Sequence, residues 1–415
     1  METEICIIGA GPAGLMAAIF AARSGANVLV VEANTAPGRK LLMTGGGRCN
    51  LTHHGSPQEI VHAFGAKGRF LRHALYQFSP QDVQNFFVRL GLATRIEQDG
   101  CVFPATDRAG DVRDALVGQA KKLGVIFLYG KRVESVTKEA DSFMIQAGQE
   151  HIRAQRLIIA TGGLSWPQTG CTGDGYRFAR LLGHTIVQPK ASLVPLVTRE
   201  TWTRQLAGTA VKDVTISTRI ENKKLIASGA MVFTDDGIGG PAVQDMSRYL
   251  TDHLSSGTES IDVMLDLMPH LDSGELETQI IENISDNPKK KLVNVLAGFI
   301  PRRLAVVLCR QTDSDEELPA GQLRKDLRKK LIRAIKALPL SIVRTRPIAE
   351  ATVTRGGVSI AEVESKTMES KICPSLFFAG EVLDLDGPCG GYNLQLCWST
   401  GVLAGLSAAR NKCTH

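Results

Sequence analysis

The sequence predicts an α/β protein built on a Rossmann-like dinucleotide-binding domain and interrupted by a β-rich insertion. Three observations carry this. The chain opens with an apolar strand that runs into Gly9-Ala10-Gly11-Pro12-Ala13-Gly14, then a helix, then a second strand ending on Glu32. Two distant apolar strands, beginning at Arg156 and Leu376, end in the glycine pair Gly162-Gly163 and in Gly380-Glu381. Between them, residues 193–268 follow a strand pattern and residues 273–338 turn helical and charged.

Ile5-Cys6-Ile7-Ile8 is uniformly apolar, as a parallel strand covered on both faces must be. Gly9 allows a tight turn, Gly11 lets the backbone approach a pyrophosphate, and Gly14 lets the helix pack close to the strand. The alanine-rich helix Ala13–Ser24 stops at Gly25, and its free N–H groups face the expected phosphates. Val28–Val31 delivers Glu32, beside Ala33, whose carboxylate suits the hydroxyls of a ribose. Glycines alone are weak evidence; strand, glycines, helix, strand and terminal acid together are specific.

The next stretch, Ala36 to Asn50, holds four glycines and the cations Arg39, Lys40 and Arg48. Thr44, Gly46, Gly47 and Asn50 complete a loop whose N–H groups can cradle a phosphate or ring carbonyl; the alternative is a solvent-exposed loop. After Glu381 come Asp384, Asp386 and the turn Gly387-Pro388-Cys389-Gly390-Gly391-Tyr392-Asn393, leading into a helix over Leu394–Ala409. A helix N-terminus there would favour the negative charge of a reduced flavin. The cofactor expected is therefore FAD rather than NAD as the resident group.

The bulk numbers exclude other classes. A formal charge of +6 on 415 residues is too mild to require a nucleic-acid partner, and none is expected. Nine cysteines, with no pair at CxxC spacing, indicate reduced thiols in a cytoplasmic setting, no metal site and no disulfide relay. No apolar run reaches the ~20 residues that span a bilayer, and the N-terminal apolar run is a strand rather than a leader. Helices are expected over 65–125, with one opened by Pro80 and another over Asp107–Leu123. Strands follow at Gly124–Leu128 and Arg132–Val136, then Phe143–Gln146 and Ile152–Arg156. In the insertion, strands are expected at Leu193–Val197, Val211–Ile220, Lys224–Phe233 and Ser260–Leu267, with a helix around Ala242–Leu254. Leu323, Leu327, Leu331 and Ile335 recur every four residues among lysines and arginines, which reads as an amphipathic helix with a solvated cationic face. Gly237-Ile238-Gly239-Gly240-Pro241-Ala242 superficially matches GxGxxA, but Asp235 and Asp236 before it would repel a pyrophosphate.

The runs TGGGRCN, ATGGLSWPQTGCTGDGY, MVFTDDGIGGPAVQDMSR, TRGGVS, TMESK and GEVLDLDGPCGGYNLQ resemble the BaiN-like flavoproteins, also called the aminoacetone oxidase family, over nearly the whole chain. The resemblance implies a two-dinucleotide-binding-domain flavoprotein with non-covalent FAD. Its FAD domain would be built from both chain ends, 1–190 and 349–415, around an inserted β-rich domain, 191–348, with a helical subdomain near 270–338. It further implies that Val133 presents its backbone to the adenine and that Thr161 and Gly162 lie beside the adenylate half. Gly380 and Glu381 would meet the pyrophosphate and ribityl chain, and Gly391, Tyr392 and Asn393 the flavin ring. Cys171–Gly175 resembles the TGDG turn of fumarate-reductase-type flavoproteins, which puts Asp174 near the cofactor; read alone, Asp174 is equally a helix N-cap. The family pattern has a His near Asp235 or Asp236 that this chain lacks.

The function these readings converge on is FAD-dependent hydride transfer with a small organic substrate, with Arg48, Tyr392 and Asn393 as the polar residues facing the ring. Relatives imply either oxidation of small amino ketones or reduction of unsaturated steroid-like acids. NAD(P)H is a possible electron donor. The alternatives are an NAD(P)H-dependent flavin reductase, an FAD-loaded redox sensor or an RNA-associated protein. Catalytic side chains and oligomeric state are not legible, and no Ser-His-Asp arrangement stands out.

Overall fold

A computed structural model describes residues 1–410, so Cys413 lies outside the described part. The chain divides into two compact units, Met1–Lys190 with the segment from Thr352 onward, and Ala191–Ala351.

The first unit holds a seven-stranded sheet. Glu2–Ile8 lies between Val28–Glu32 and Glu150–Ile159 and runs parallel to both, and Ile126–Tyr129 extends the sheet beyond Val28–Glu32. Strand Glu150–Ile159 is the pivot. Its first half pairs antiparallel with Phe143–Ala147, which pairs in turn with Val133–Lys138. Its last three residues, Leu157 to Ile159, pair in parallel with Leu376–Phe378. The C-terminal segment thus re-enters the sheet beside Glu150–Ile159, one strand away from the strand that ends at the first glycine turn.

Two helices lock this return. Pro12–Arg23 and Tyr392–Ala409 approach so closely that a Cβ on Gly401 would sit 2.4 Å from the Ala13 carbonyl oxygen, and one on Gly405 would sit 2.3 Å from that of Ala17. Only hydrogen on those glycines permits the contact. Trp398, fully buried, donates its indole N–H to the Leu51 carbonyl at 2.7 Å and packs edge-on against Phe87. The helices Pro57–Ala63 and Pro80–Arg89 begin at Ser-Pro steps with reciprocal capping boxes, Ser56 with Glu59 and Ser79 with Asp82. Ala109–Lys122 supplies the long helix expected near 107–123. A small sheet of Thr52–His53, Cys101–Pro104 and Thr94–Ile96 was not anticipated, because its strands are too short to carry a period.

The second unit is a closed six-stranded barrel ordered Leu196–Thr198, Gly237–Gly239, Lys223–Phe233, Ala210–Ile220, Ile261–Asp266 and Leu338–Thr345. The helix Pro241–Ser255 buries Ala242, Val243, Met246 and Leu250 in the same core. Four helices, Ser273–Asp286, Leu292–Leu296, Arg302–Gln311 and Lys325–Lys336, form the helical part. Leu331 and Ile335 are buried there, while Lys325, Lys329, Lys330 and Arg333 face solvent, as the amphipathic reading requires. One reading holds and one expectation needs correction. The GxGxxA-like segment contributes a barrel strand, Gly237–Gly239, antiparallel to both neighbours, so it lacks the parallel strand pair of a nucleotide cradle. The chain also turns back to strand at Leu338–Thr345, and that strand closes the barrel.

Candidate dinucleotide site

The opening turn has the shape of a phosphate cradle. Gly9 takes φ 104° and donates its N–H to the Val31 carbonyl at 2.9 Å. A Cβ on Gly14 would lie 1.9 Å from the Gly9 oxygen, which only glycine tolerates. A Cβ on Gly11 would meet nothing within 4 Å, so this position opens onto free space at the N-terminus of Pro12–Arg23. No side chain caps that helix, whose first positions are Pro12 and Ala13, and its positive end stands open to an anion.

Glu32 is 7% exposed and already engaged: Oε2 accepts from Ala10 N–H at 2.8 Å, and Oε1 accepts from both the backbone and side-chain nitrogens of Asn34, each at 2.8 Å. A carboxylate has about four acceptor sites, so one is left for a ribose hydroxyl. Tyr129, which sits opposite Glu32 on the neighbouring strand, buries a hydroxyl with no hydrogen-bond partner among the described residues. Burial, with a smaller push from Glu32, raises this phenol above its ordinary value. Sequence reasoning missed Asn34 and Tyr129, since neither belongs to the glycine pattern.

Thr161, just beyond strand Glu150–Ile159, is the second unsatisfied group. Its Oγ1 is buried and unpartnered among the described residues, although Gly175 packs close above it. Thr161 also lies against the cradle, because a Cβ on Gly9 would meet its Cα at 3.1 Å. Gly380 reaches the same place from the far end of the sequence: a Cβ there would lie 2.7 Å from that of Ala13. Gly9, Ala13, Thr161 and Gly380 therefore come together, as expected. Gly162 has φ 74° and sits against Cys171. Val133 is buried at the start of its strand, opposite Ala147.

The charged residues behave differently from the expectation. Lys40 does not wait for a phosphate; its Nζ lies 2.7 Å from Glu381 Oε2 and 2.6 Å from Ser165 Oγ. Burial alone would lower this ammonium, but Glu381 outweighs it and holds it above its ordinary value. The other oxygen of Glu381 accepts from Ser165 Oγ at 2.9 Å and Thr354 N–H at 2.8 Å. Lys40 and Glu381 form an interior tie between three chain segments. Arg48 is likewise already engaged by protein: its guanidinium pairs with Glu97 at 2.7 Å and covers the Phe103 ring at 3.9 Å. Arg39 donates to Asn34 Oδ1 at 3.0 Å. Asp174 pairs with Arg132 and Thr172, and the helix cap is Gly173, so the N-cap reading of Asp174 is corrected.

The glycine run Gly45-Gly46-Gly47 is left-handed throughout, with Gly46 open to space. Thr44 ties the loop locally, its hydroxyl donating to the Leu41 carbonyl and its own carbonyl accepting from Cys49. Asn50 turns its carbonyl oxygen to the Gly391 N–H at 3.2 Å and its amide nitrogen to the Thr52 carbonyl at 2.9 Å. Gly391 fits only because it lacks a Cβ, which would lie 2.4 Å from the Thr52 carbonyl carbon. Asn393 clamps the preceding turn, accepting from Gly387 N–H and donating to the Gly387 and Pro388 carbonyls. Tyr392 opens the last helix and stacks on His53, ring centroids 4.7 Å apart, while His53 Nδ1 lies 3.2 Å from the Gly390 carbonyl. Asp384 and Asp386 are also scaffolding, paired with Lys67 and Arg355. His53 was missed because a two-residue strand places it there.

No thiol is primed. Burial pushes Cys49 and Cys397 up to about 12, so both stay protonated. The structure does contain a Ser–His–acid set that sequence reasoning did not find: His184 Nε2 is 2.7 Å from Ser370 Oγ, and Nδ1 is 3.3 Å from Glu362. Ser370 is buried and accepts from the Ile372 and Cys373 N–H groups, so it is a packing knot without access for a substrate. Among the described residues no group of three or more His, Cys, Asp or Glu could hold a metal ion, and no helix is long and apolar enough to cross a membrane.

The model of the HI0933-like protein Rossmann domain matches residues 3–407. The chain is 34% identical over 409 residues to the 3-dehydro-bile acid delta(4,6)-reductase of Clostridium scindens, covering 98% of this chain and 99% of that protein. It is 33% identical over 401 residues to the ribosomal RNA dihydrouridine synthase of Escherichia coli, covering 96% of each. Among solved structures, the 3-ketosteroid-delta4-(5alpha)-dehydrogenase of Rhodococcus jostii matches with TM-score 0.53 at 16% identity, over 99% of this chain and 97% of that one, a likeness of fold.

Proposed function

The chain belongs to the HI0933-like family of Rossmann-domain flavoproteins, and from that premise we propose that it is an FAD-dependent oxidoreductase acting on a carbon–carbon double bond conjugated to a carbonyl. The observation that carries the cofactor is the glycine cradle, where an uncapped helix end, the open face of Gly11 and the buried, unpartnered Thr161 hydroxyl converge from distant parts of the chain among the described residues. The reaction class is supported by the names of the two relatives, a delta(4,6)-reductase and a dihydrouridine synthase, which share the saturation of a ring double bond.

When bound, FAD supplies two-electron hydride chemistry at its N5. Reduced FAD held there would supply the hydride for one carbon of the double bond, with a proton for its neighbour, and NAD(P)H is the donor class that would replenish it. The protein's part is binding and electrostatics. The N–H groups at the start of Pro12–Arg23 hold the pyrophosphate, the remaining acceptor site of Glu32 takes a ribose hydroxyl, and Val133, Thr161 and Gly162 serve the adenylate half. Gly380 admits the cofactor close to the backbone. The N-terminus of Tyr392–Ala409, set by Asn50, Gly391 and Asn393, offers positive potential to a ring that gains negative charge.

The test is to release and identify the bound flavin, photoreduce the holoprotein without oxygen, and mix it with a cyclic enone or with uridine. Recovery of the oxidised flavin spectrum together with the saturated product is expected. Recovery with oxygen alone would overturn the reaction class, and a preparation that binds no flavin would overturn the cofactor.

A further inference from the structure

Three stretches of the first unit, residues 32–34, 129–133 and 169–174, close a ring of contacts beside Glu32. Backbone joins the first to the second: Gly130 N–H donates to the Asn34 carbonyl at 2.8 Å, and Lys131 N–H to the Glu32 carbonyl at 3.0 Å. A side-chain amide joins the first to the third, with Asn34 Nδ2 donating to the Thr169 carbonyl at 3.0 Å. The approach there is close, since a Cβ on Gly170 would lie 2.5 Å from that nitrogen. The last side of the ring is different. Arg132 Nη1 donates to Thr172 Oγ1 at 3.0 Å and to Asp174 Oδ2, and Thr172 Oγ1 donates to the same carboxylate oxygen at 3.1 Å. Further along the helix Asp174–Leu181, Arg177 Nη1 donates to the Glu134 carbonyl at 2.8 Å. Among the described residues no backbone–backbone hydrogen bond crosses this seam between strand Val133–Lys138 and that helix.

The seam is also the wet side. The side chains of Arg132 and Asp174 are 49% and 28% exposed, so their ion pair is screened by salt and adds little to the stability of the fold. Opening it breaks no backbone ladder, which makes it the part of the ring that yields most readily. The polar groups left with spare capacity belong to the same ring. Glu32 keeps one acceptor site, and the buried hydroxyl of Tyr129, its register partner, has no hydrogen-bond partner among the described residues. Thr161, equally unpartnered, lies against the seam helix, because a Cβ on Gly175 would sit 2.1 Å from its Oγ1.

We propose that Arg132, Thr172 and Asp174 form a clasp on the adenosine end of the dinucleotide: closed, the ring retains FAD, and opened along the seam it lets FAD leave and enter. The inference rests on the FAD site proposed above. The three residues are positioning residues, and no bond of the cofactor or substrate is made or broken at them. Because the clasp is held by one opposed pair of charges, both of its charges favour retention. A cation that merely attracted the cofactor's phosphates would behave otherwise, since the neighbouring acid would then oppose binding.

The test uses the full-length holoprotein and the release of its own flavin, followed as the rise in flavin fluorescence after dilution into excess ADP. Wild-type release should quicken as salt is raised. At low salt, Arg132→Gln and Asp174→Asn should each release FAD about two- to fivefold faster, the range an exposed ion pair is worth, and should lose much of the salt dependence. Removing a positive or a negative charge thus moves the rate in the same direction. Opposite effects of the two substitutions would assign Arg132 to plain attraction of phosphate and overturn the clasp, as would a wild-type rate in either variant. Those results leave the FAD site standing, since the flavin is still bound; a wild-type preparation that holds no flavin would overturn the cofactor reading and the clasp with it.

Discussion

The segments Gly9–Gly14 and Gly237–Ala242 are spelled almost alike, and they do different things. Each has glycines after an apolar strand, a glycine N-cap with no capping side chain, and a proline opening the helix. In the first, the strand runs parallel to both neighbours and the glycine that matters for packing, Gly14, lies against the turn itself. In the second, the strand is antiparallel on both sides, and Gly237 is needed because a Cβ would lie 2.1 Å from the Leu196 oxygen of the next barrel strand. One set of glycines leaves room for a ligand; the other lets protein strands close on each other. The lesson is that a glycine motif reports close approach, while strand direction decides what approaches.

The largest effect should come from filling those two approaches. Gly14→Val is expected to abolish flavin retention and to destabilise its unit by about 3 kcal/mol or more, the upper range for overpacking. Gly237→Val should unfold the barrel unit to a similar extent while flavin content stays near wild type. Flavin-to-protein absorbance ratios and thermal melts read both; flavin loss in the Gly237 variant alone would break the comparison. Next is Lys40→Met, which strands the largely buried Glu381 and should cost about 3 kcal/mol, with the Lys40→Met, Glu381→Leu double variant recovering part of it in urea unfolding. A double variant less stable than Lys40→Met would show that the pair is not a structural tie.

Glu32→Gln should have a smaller effect on stability, about 1–2 kcal/mol from weakening its three local hydrogen bonds, yet lower FAD affinity at least tenfold in titrations of the apoprotein. Equal affinity would remove Glu32 from the cofactor site. The smallest effect concerns His184. Burial, opposed by Glu362, holds its folded-state pKa below the ordinary 6.5. The unfolded chain therefore binds the proton more readily, so stability is complete above about pH 6.5 and declines as pH falls through and below it. His184→Gln should flatten that part of the urea-midpoint profile for the first unit; an unchanged slope would exclude His184 as its source.

What was legible in the chain had a period or a dense local motif. The strands near Ile5–Ile8, Val28–Val31 and Leu157–Ile159 and the helix after Gly11 could be read because burial on both faces, glycine spacing and capping act within a few residues. The hairpin strands Ala210–Ile220 and Lys223–Phe233 were equally readable by alternation. Leu338–Thr345 was hidden because it continues directly from a helical stretch, and Gly237–Gly239 because three residues cannot show a period.

The sequence by itself determined the α/β class, the glycine cradle and the acid at the end of the second strand. All of these arise from contacts between near neighbours or from patterns that repeat. Tertiary structure alone decided the roles of the charges: Lys40 meets Glu381 across 341 positions, Arg48 is taken by Glu97, and Asp236 by Arg346, while Asp235 is left free. A cation and an acid read along a chain are both candidates for a ligand. Only packing shows which of them neutralise each other, because a desolvated charge takes the nearest partner whatever its distance in sequence.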